Sequence, residues 1–94
     1  MKPLAVITGG TSGIGLATAL RLRDRYRLAV TYAHDGQRAA AAEVNLGPES
    51  RAFAFDLGSD VEVQAGYLQI KEHFGSEPEV LVNCAGVKGM QRFF

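Results

Sequence analysis

Thr8-Gly9-Gly10-Thr11-Ser12-Gly13-Ile14-Gly15 is the stretch on which the reading of this chain turns. It follows a short apolar run, Leu4-Ala5-Val6-Ile7, and leads into a helix-like stretch from about Gly13 to Arg25. A glycine loop between a strand and a helix has a physical use. Gly9 and Gly10 can take turn conformations closed to other residues, and Gly13 and Gly15 let a ligand and a neighbouring strand come close. The open N–H groups of the helix start, backed by the helix dipole, then face an anion. A pyrophosphate is the natural guest. The plainer alternative is a glycine-rich turn needed only for tight strand–helix packing.

Working outward, three more short apolar runs read as strands: Leu28 to Tyr32, Ala52 to Asp56 and Val80 to Asn83. Nearly continuous apolar runs of this length suit parallel strands covered on both faces. Helical stretches fit between them, at about Gln37 to Leu46 and Asp60 to Phe74. Val63, Tyr67, Ile70 and Phe74 recur at helical spacing, so that helix buries one face. Gly47-Pro48 and Gly75 stop helices, and Gly58-Ser59-Asp60 supplies a turn and an N-cap. The alternation is β-α-β-α-β-α-β. It predicts an α/β fold: a Rossmann-like, doubly wound parallel sheet of about four strands in the order 3-2-1-4, with three helices. The first two helices would cover one face and the third the other. The ligand crevice would open at the switch between strands one and four.

Composition sets the outer bounds. The chain of 94 residues is one small domain, residues 1–94, with 47% hydrophobic and 21% charged residues. That is ordinary for a soluble globular protein. Ten basic and ten acidic side chains cancel, so no basic stripe calls for nucleic acid and no Lys/Arg block for a membrane surface. The apolar runs are too short to span a bilayer, and the N-terminal run passes into Thr8-Gly9-Gly10 with no cleavage site. A lone cysteine, Cys84, forms no internal staple. A cytoplasmic location is the expectation.

The octet is similar to T-G-x-x-x-G-x-G, the loop of the short-chain dehydrogenase/reductase family, and differs from the general dinucleotide fingerprint G-x-G-x-x-G. Two further segments carry the resemblance. Asp56-Leu57 stands at the end of the third run, where the family places an aspartate against the adenine ring; a turn or N-cap role before Gly58 is the alternative. Asn83-Cys84-Ala85-Gly86 is similar to the family's N-N-A-G, which packs against the adenosine ribose. Cys84 departs from that motif and reads as a small core residue, with no neighbouring pattern that would activate a thiolate. The resemblance runs from Leu4 to Gly86. It implies a dinucleotide partner held by Gly9, Thr11, Ser12, Gly13, Ile14, Gly15, Asp56, Leu57, Asn83, Ala85 and Gly86.

Cofactor choice is expected just after the second strand, in Thr31-Tyr32-Ala33-His34-Asp35-Gly36-Gln37-Arg38. Enzymes that prefer NAD usually carry an acid at that strand's tip. The tip here has none, and His34 and Arg38 can meet a 2′-phosphate, which favours NADP over NAD. Asp35 can cap the next helix or, less favourably, bind ribose. A solvated loop is the plain alternative for His34 and Arg38.

The resemblance also implies chemistry that these residues do not carry. Family members use a serine, a tyrosine and a lysine, all beyond the N-N-A-G strand, often with an asparagine. Val87 to Phe94 contain no Ser, Tyr or Asn. Tyr67-Leu68-Gln69-Ile70-Lys71 has the formal Y-x-x-x-K spacing, but it precedes the fourth strand and Tyr67 falls on the apolar face. It reads as a decoy, so neither a catalytic set nor metal ligands are assigned. The chain is expected to be a truncated, N-terminal nucleotide-binding half of a ketoacyl-type reductase, inactive alone. The alternatives are a non-catalytic binding module and half of an enzyme completed by a separate chain. An open edge at strand four and the tail Met90-Gln91-Arg92-Phe93-Phe94 lead to an expectation of self-association or pairing with a full-length homologue.

Overall fold

β1 (Leu4–Thr8) is buried along its whole length, and it is the strand around which the molecule is built. The computed structural model describes residues 1–84. β1 is followed by α1 (Gly13–Leu22), β2 (Arg27–Tyr32), α2 (Gly36–Leu46), β3 (Ser50–Ala54), α3 (Asp60–Phe74) and β4 (Pro78–Asn83). The strands form one parallel sheet in the order β3-β2-β1-β4, as the alternation predicts. β1 and β2 occupy the middle, which explains why their sequences are apolar without alternation.

Two apolar clusters lie on opposite faces. Ala5, Ile7, Leu28 and Val30 pack with Ala19, Leu16 and Leu22 of α1 and Leu46 of α2. Leu4, Val6, Ala29, Phe53 and Phe55 pack with Ile70, Val63, Tyr67 and Phe74 of α3. The expected division, two helices on one face and one on the other, therefore holds. Leu81, paired with Val6 on the α3 side, remains 37% exposed because that helix lies over the strands away from β4. The tail Met90 to Phe94 lies outside the described residues.

Helix ends follow the expected chemistry. Ser59 caps α3 by accepting the Glu62 N–H at 3.2 Å, and Gly75 closes it in the left-handed conformation. Asp35 caps α2 by accepting the Arg38 N–H at 3.0 Å. Some boundaries differ from the sequence reading. β3 runs from Ser50 to Ala54, not from Ala52 to Asp56. Phe55 still donates to the Tyr32 carbonyl at 3.1 Å, but Asp56 then turns the chain by accepting the Gly58 N–H at 2.8 Å. α1 stops at Leu22, whose carbonyl takes the N–H of both Arg25 and Tyr26 at 3.0 Å. β4 starts earlier, at Pro78, and α2 at Gly36.

The outer edge of β3 is partly guarded. Glu43 of α2 reaches around it to accept the Ala52 N–H at 2.6 Å. A carboxylate placed there occupies a ladder donor that a foreign strand would otherwise use.

Candidate dinucleotide site

The site stands at the carboxyl ends of β1, β2 and β4, where the connections from β1 and β2 leave on one side of the switch and β4 begins the other. Gly9 and Gly13 have φ of 67° and 56°, which glycine adopts without strain. Gly15 is a glycine for a different reason. A Cβ there would lie 2.0 Å from the Gly9 carbonyl oxygen and 3.0 Å from Gly10 Cα. The loop thus folds back onto the first turn of α1, and only a hydrogen can stand between them.

This folding leaves the helix start open. Ser12 is the N-cap residue with extended backbone, and its side chain makes no capping hydrogen bond. The first bond of the helix runs from Leu16 N–H to the Ser12 carbonyl at 3.1 Å. The N–H groups of the preceding turn are the unsatisfied donors of a helix N-terminus, suited to an anion. Thr11 is almost wholly buried, whereas Ile14 is 78% exposed beside the loop.

Two threonines brace the loop. Thr8 is buried, and its hydroxyl lies 3.4 Å from the Val82 carbonyl and 3.3 Å from Asn83 Oδ1. It also accepts the Cys84 N–H at 3.1 Å, which ties β1 to the end of β4. Thr31 of β2 accepts the Gly9 N–H on its hydroxyl at 3.3 Å and the Gly10 N–H on its carbonyl at 3.2 Å. In the sequence Thr8 stands inside the motif with no sign of this role, and Thr31 only opens the stretch read for cofactor choice. Their partners are far away in sequence, and no local spacing announces them.

The remaining expected residues fall as follows. Asp56 is exposed beyond the end of β3, with Oδ1 on the Gly58 N–H and its own N–H on Glu62 Oε1 at 2.8 Å. Its turn role is therefore observed, and Leu57 beside it packs partly against the α3-side core. Asn83 meets Thr8, and Cys84 is half-buried and packs against the Ala5 and Ile7 cluster rather than inside it. Ala85 and Gly86 lie outside the described residues. His34 and Arg38 are exposed just past β2, and Arg38 Nε lies 3.6 Å from Asp35 Oδ2. Asp35 is thus occupied by the helix cap and by Arg38.

Tyr67 and Lys71 stand in surroundings unsuited to an acid–base pair. Tyr67 packs against the core beneath α3, and burial pushes its phenol above the ordinary value. A phenol that donates protons near neutrality needs the opposite shift. Lys71 Nζ sits 3.1 Å from Glu77 Oε2. The raised phenol contributes stability that is present below its unfolded-state pKa and lost as pH rises through the folded value. Tyr67→Phe is accordingly expected to flatten the alkaline fall in stability, measured by urea unfolding across the pH range. An unchanged alkaline limb would show that the phenol is not held neutral by the fold.

Comparison with known proteins agrees with this architecture. A family model described as short chain dehydrogenase matches residues 3–94. Human 3-oxoacyl-[acyl-carrier-protein] reductase is 38% identical over 88 residues, covering 93% of this chain and 36% of that protein. Bovine 3-hydroxyacyl-CoA dehydrogenase type-2 is 42% identical over 85 residues, covering 89% of this chain and 32% of its own length. Among solved structures, a variant of actinorhodin polyketide ketoreductase with NADPH superposes with a TM-score of 0.82 at 34% identity, over 94% of this chain and 34% of that one. The chain therefore spans about a third of the length of the curated relatives it matches.

Proposed function

The chain belongs to the short-chain dehydrogenase/reductase family, and from that premise we propose that it is the dinucleotide-binding part of an NADP(H)-dependent reductase of 3-oxoacyl-type carbonyls. The observation that carries this reading is the folded-back Gly9–Gly15 loop, which presents the open start of α1 at the switch point of the sheet. A row of N–H donors and a helix dipole fit a pyrophosphate. Gly9, Ser12, Gly13, Ile14 and Gly15 would hold it, with Thr11 supporting the loop, and Asp56, Leu57, Asn83, Ala85 and Gly86 lining the adenosine end. When bound, the nicotinamide supplies or accepts hydride. The residues of this chain bind and orient the carrier.

The preference for NADP over NAD rests on the tip of β2. A 2′-phosphate carries about two negative charges and needs a cation. His34 and Arg38 are exposed there, and the one nearby acid, Asp35, already caps α2. Arg38→Asp is expected to weaken NADPH binding at least tenfold while leaving NADH binding nearly unchanged, because a charge-assisted hydrogen bond contributes about 1.5–3 kcal/mol. Calorimetric titration of the wild-type and variant chains with both dinucleotides measures this. Equal affinity of the wild type for NADH and NADPH would remove the basis for NADP.

The substrate class follows from relatives named as a 3-oxoacyl-[acyl-carrier-protein] reductase and a 3-hydroxyacyl-CoA dehydrogenase, of whose length the chain spans about a third. These 94 residues by themselves are expected to show no turnover, since the Ser, Tyr and Lys that the family uses have no counterparts in them. NADPH absorbance followed with a β-ketoester is the assay, and turnover that disappears in Tyr67→Phe would contradict it. A cytoplasmic setting fits this role. Among the described residues no helix is long and apolar enough to cross a membrane. Self-association or pairing with a full-length homologue would use the β4 side, where Leu81 is 37% exposed.

A further inference from the structure

We infer that Thr31 is a positioning residue of the dinucleotide site: its buried hydroxyl holds the glycine loop in the shape that receives a pyrophosphate. The inference rests on the proposed dinucleotide reading and adds a residue to it. Thr31 lies in β2, and only 1% of its surface is exposed. A valine would fill the same volume in a central strand and favour it at least as well. A hydroxyl buried there is costly unless it is hydrogen-bonded. Its partner is the Gly9 N–H, at 3.3 Å.

The consequence reaches α1 through two successive peptide planes. The first, between Thr8 and Gly9, is held by the Thr31 hydroxyl through the Gly9 N–H. The second, between Gly9 and Gly10, is held by the Thr31 carbonyl, which accepts the Gly10 N–H at 3.2 Å. In a trans peptide the N–H and C=O point in opposite directions. With Gly10 N–H aimed at β2, the Gly9 oxygen is aimed away from it, and that oxygen is the atom that a Cβ on Gly15 would meet at 2.0 Å. The chain of contact therefore runs from Thr31 through Gly9 to the first turn of α1. Gly9 has φ of 67° and, being a glycine, many other conformations open to it. The Thr31 hydroxyl, fixing the first plane, and the Thr31 carbonyl, fixing the second, together select one of them.

The test compares Thr31→Val, which removes the hydroxyl and keeps the volume, with Thr31→Ser, which keeps the hydroxyl. Each chain is titrated with NADPH and with adenosine 2′-monophosphate, which lacks the pyrophosphate. Amide hydrogen exchange is followed at Gly9. Thr31→Val is expected to weaken NADPH binding about tenfold, the size of one lost hydrogen bond. It should leave adenosine 2′-monophosphate within about twofold and speed exchange at Gly9. Thr31→Ser should restore NADPH binding to within about twofold of wild type. Undiminished NADPH binding by Thr31→Val overturns the inference, as does an equal loss for both ligands, which would mark a general packing role. If Thr31→Val fails to fold, wild-type exchange decides: Gly9 slower than Ser12 and Gly13 supports the clamp, and Gly9 as fast as they are overturns it. A wild-type chain that binds neither ligand removes the dinucleotide reading itself, and the inference with it.

Discussion

Gly15→Ala is expected to abolish NADPH binding and to destabilise the chain by about 3 kcal/mol, at the upper end of what overpacking costs. The added carbon would sit 2.0 Å from the Gly9 oxygen, 2.7 Å from the Gly9 carbonyl carbon and 3.0 Å from Gly10 Cα. All three are backbone atoms, so no side-chain rotation relieves the clash, and either the loop or the first turn of α1 must move. Alanine is a better helix former than glycine by about 1 kcal/mol, which offsets only part of that cost. Displacing the loop also swings the N–H groups of the α1 start away from their common target. Urea unfolding and NADPH titration of the variant read both effects. Gly36→Ala is the control. It stands at the start of α2 with nothing within 4 Å of the new carbon, so it should be neutral or stabilising by up to about 0.5 kcal/mol. Equal behaviour of the two variants would mean that the loop is not folded back on the helix.

Arg27 anchors the opposite end of the sheet, and its loss should cost stability without touching the dinucleotide site. Its Nε donates to the Lys2 carbonyl at 2.8 Å, one terminal nitrogen to the Phe74 carbonyl at 3.0 Å and the other to Ser76 Oγ at 2.7 Å. The guanidinium also lies 5.7 Å from the centre of the Phe74 ring. One side chain thus joins the entry of β1 to the carboxyl end of α3, where the helix dipole favours a cation. Arg27→Met keeps the apolar stem and removes the fork. The expected loss is about 2–3 kcal/mol, since hydrogen bonds to charged groups are worth more than neutral ones. Lysine cannot reproduce three divergent bonds, so Arg27→Lys should recover only part of it. For a small domain such a loss is a large share of the total. The dissociation constant for NADPH, measured where the variant remains folded, should match wild type. A variant as stable as wild type would show that these bonds merely exchange with water at no net cost.

The features legible in the sequence were those written locally. Apolar runs marked the strands, and Ser59, Gly47 and Gly75 marked helix ends because capping is a matter of a few neighbouring residues. The spacing of Val63, Tyr67, Ile70 and Phe74 identified the buried face of α3. The apolar pattern places β3 two residues late because Ala52-Phe53-Ala54-Phe55 carries it past the last ladder position, while the strand's start, Ser50-Arg51, is polar at the sheet edge. The contacts that decide the site's shape were not legible. Thr31 meets Gly9 across 22 residues, and Arg27 meets Ser76 across 49. Gly66 illustrates the same limit: a mid-helix glycine disfavours α3 locally, yet a Cβ there would meet the Phe55 ring at 2.4 Å. Its reason lies on another element.

A dinucleotide received by the α1 start and its glycine loop would leave its mark on the amides that meet it. The direct measurement is an amide chemical-shift titration of the isotopically labelled chain with NADPH. Saturable shifts are expected at Gly9, Ser12, Gly13, Ile14 and Gly15, with His34 and Arg38 responding more to NADPH than to NADH, and with Arg27, Phe74 and Ser76 unmoved. The contradicting result is a titration that leaves the loop unshifted, or one centred instead on Arg51, Gln69 and His73, which line the cleft between β3 and α3.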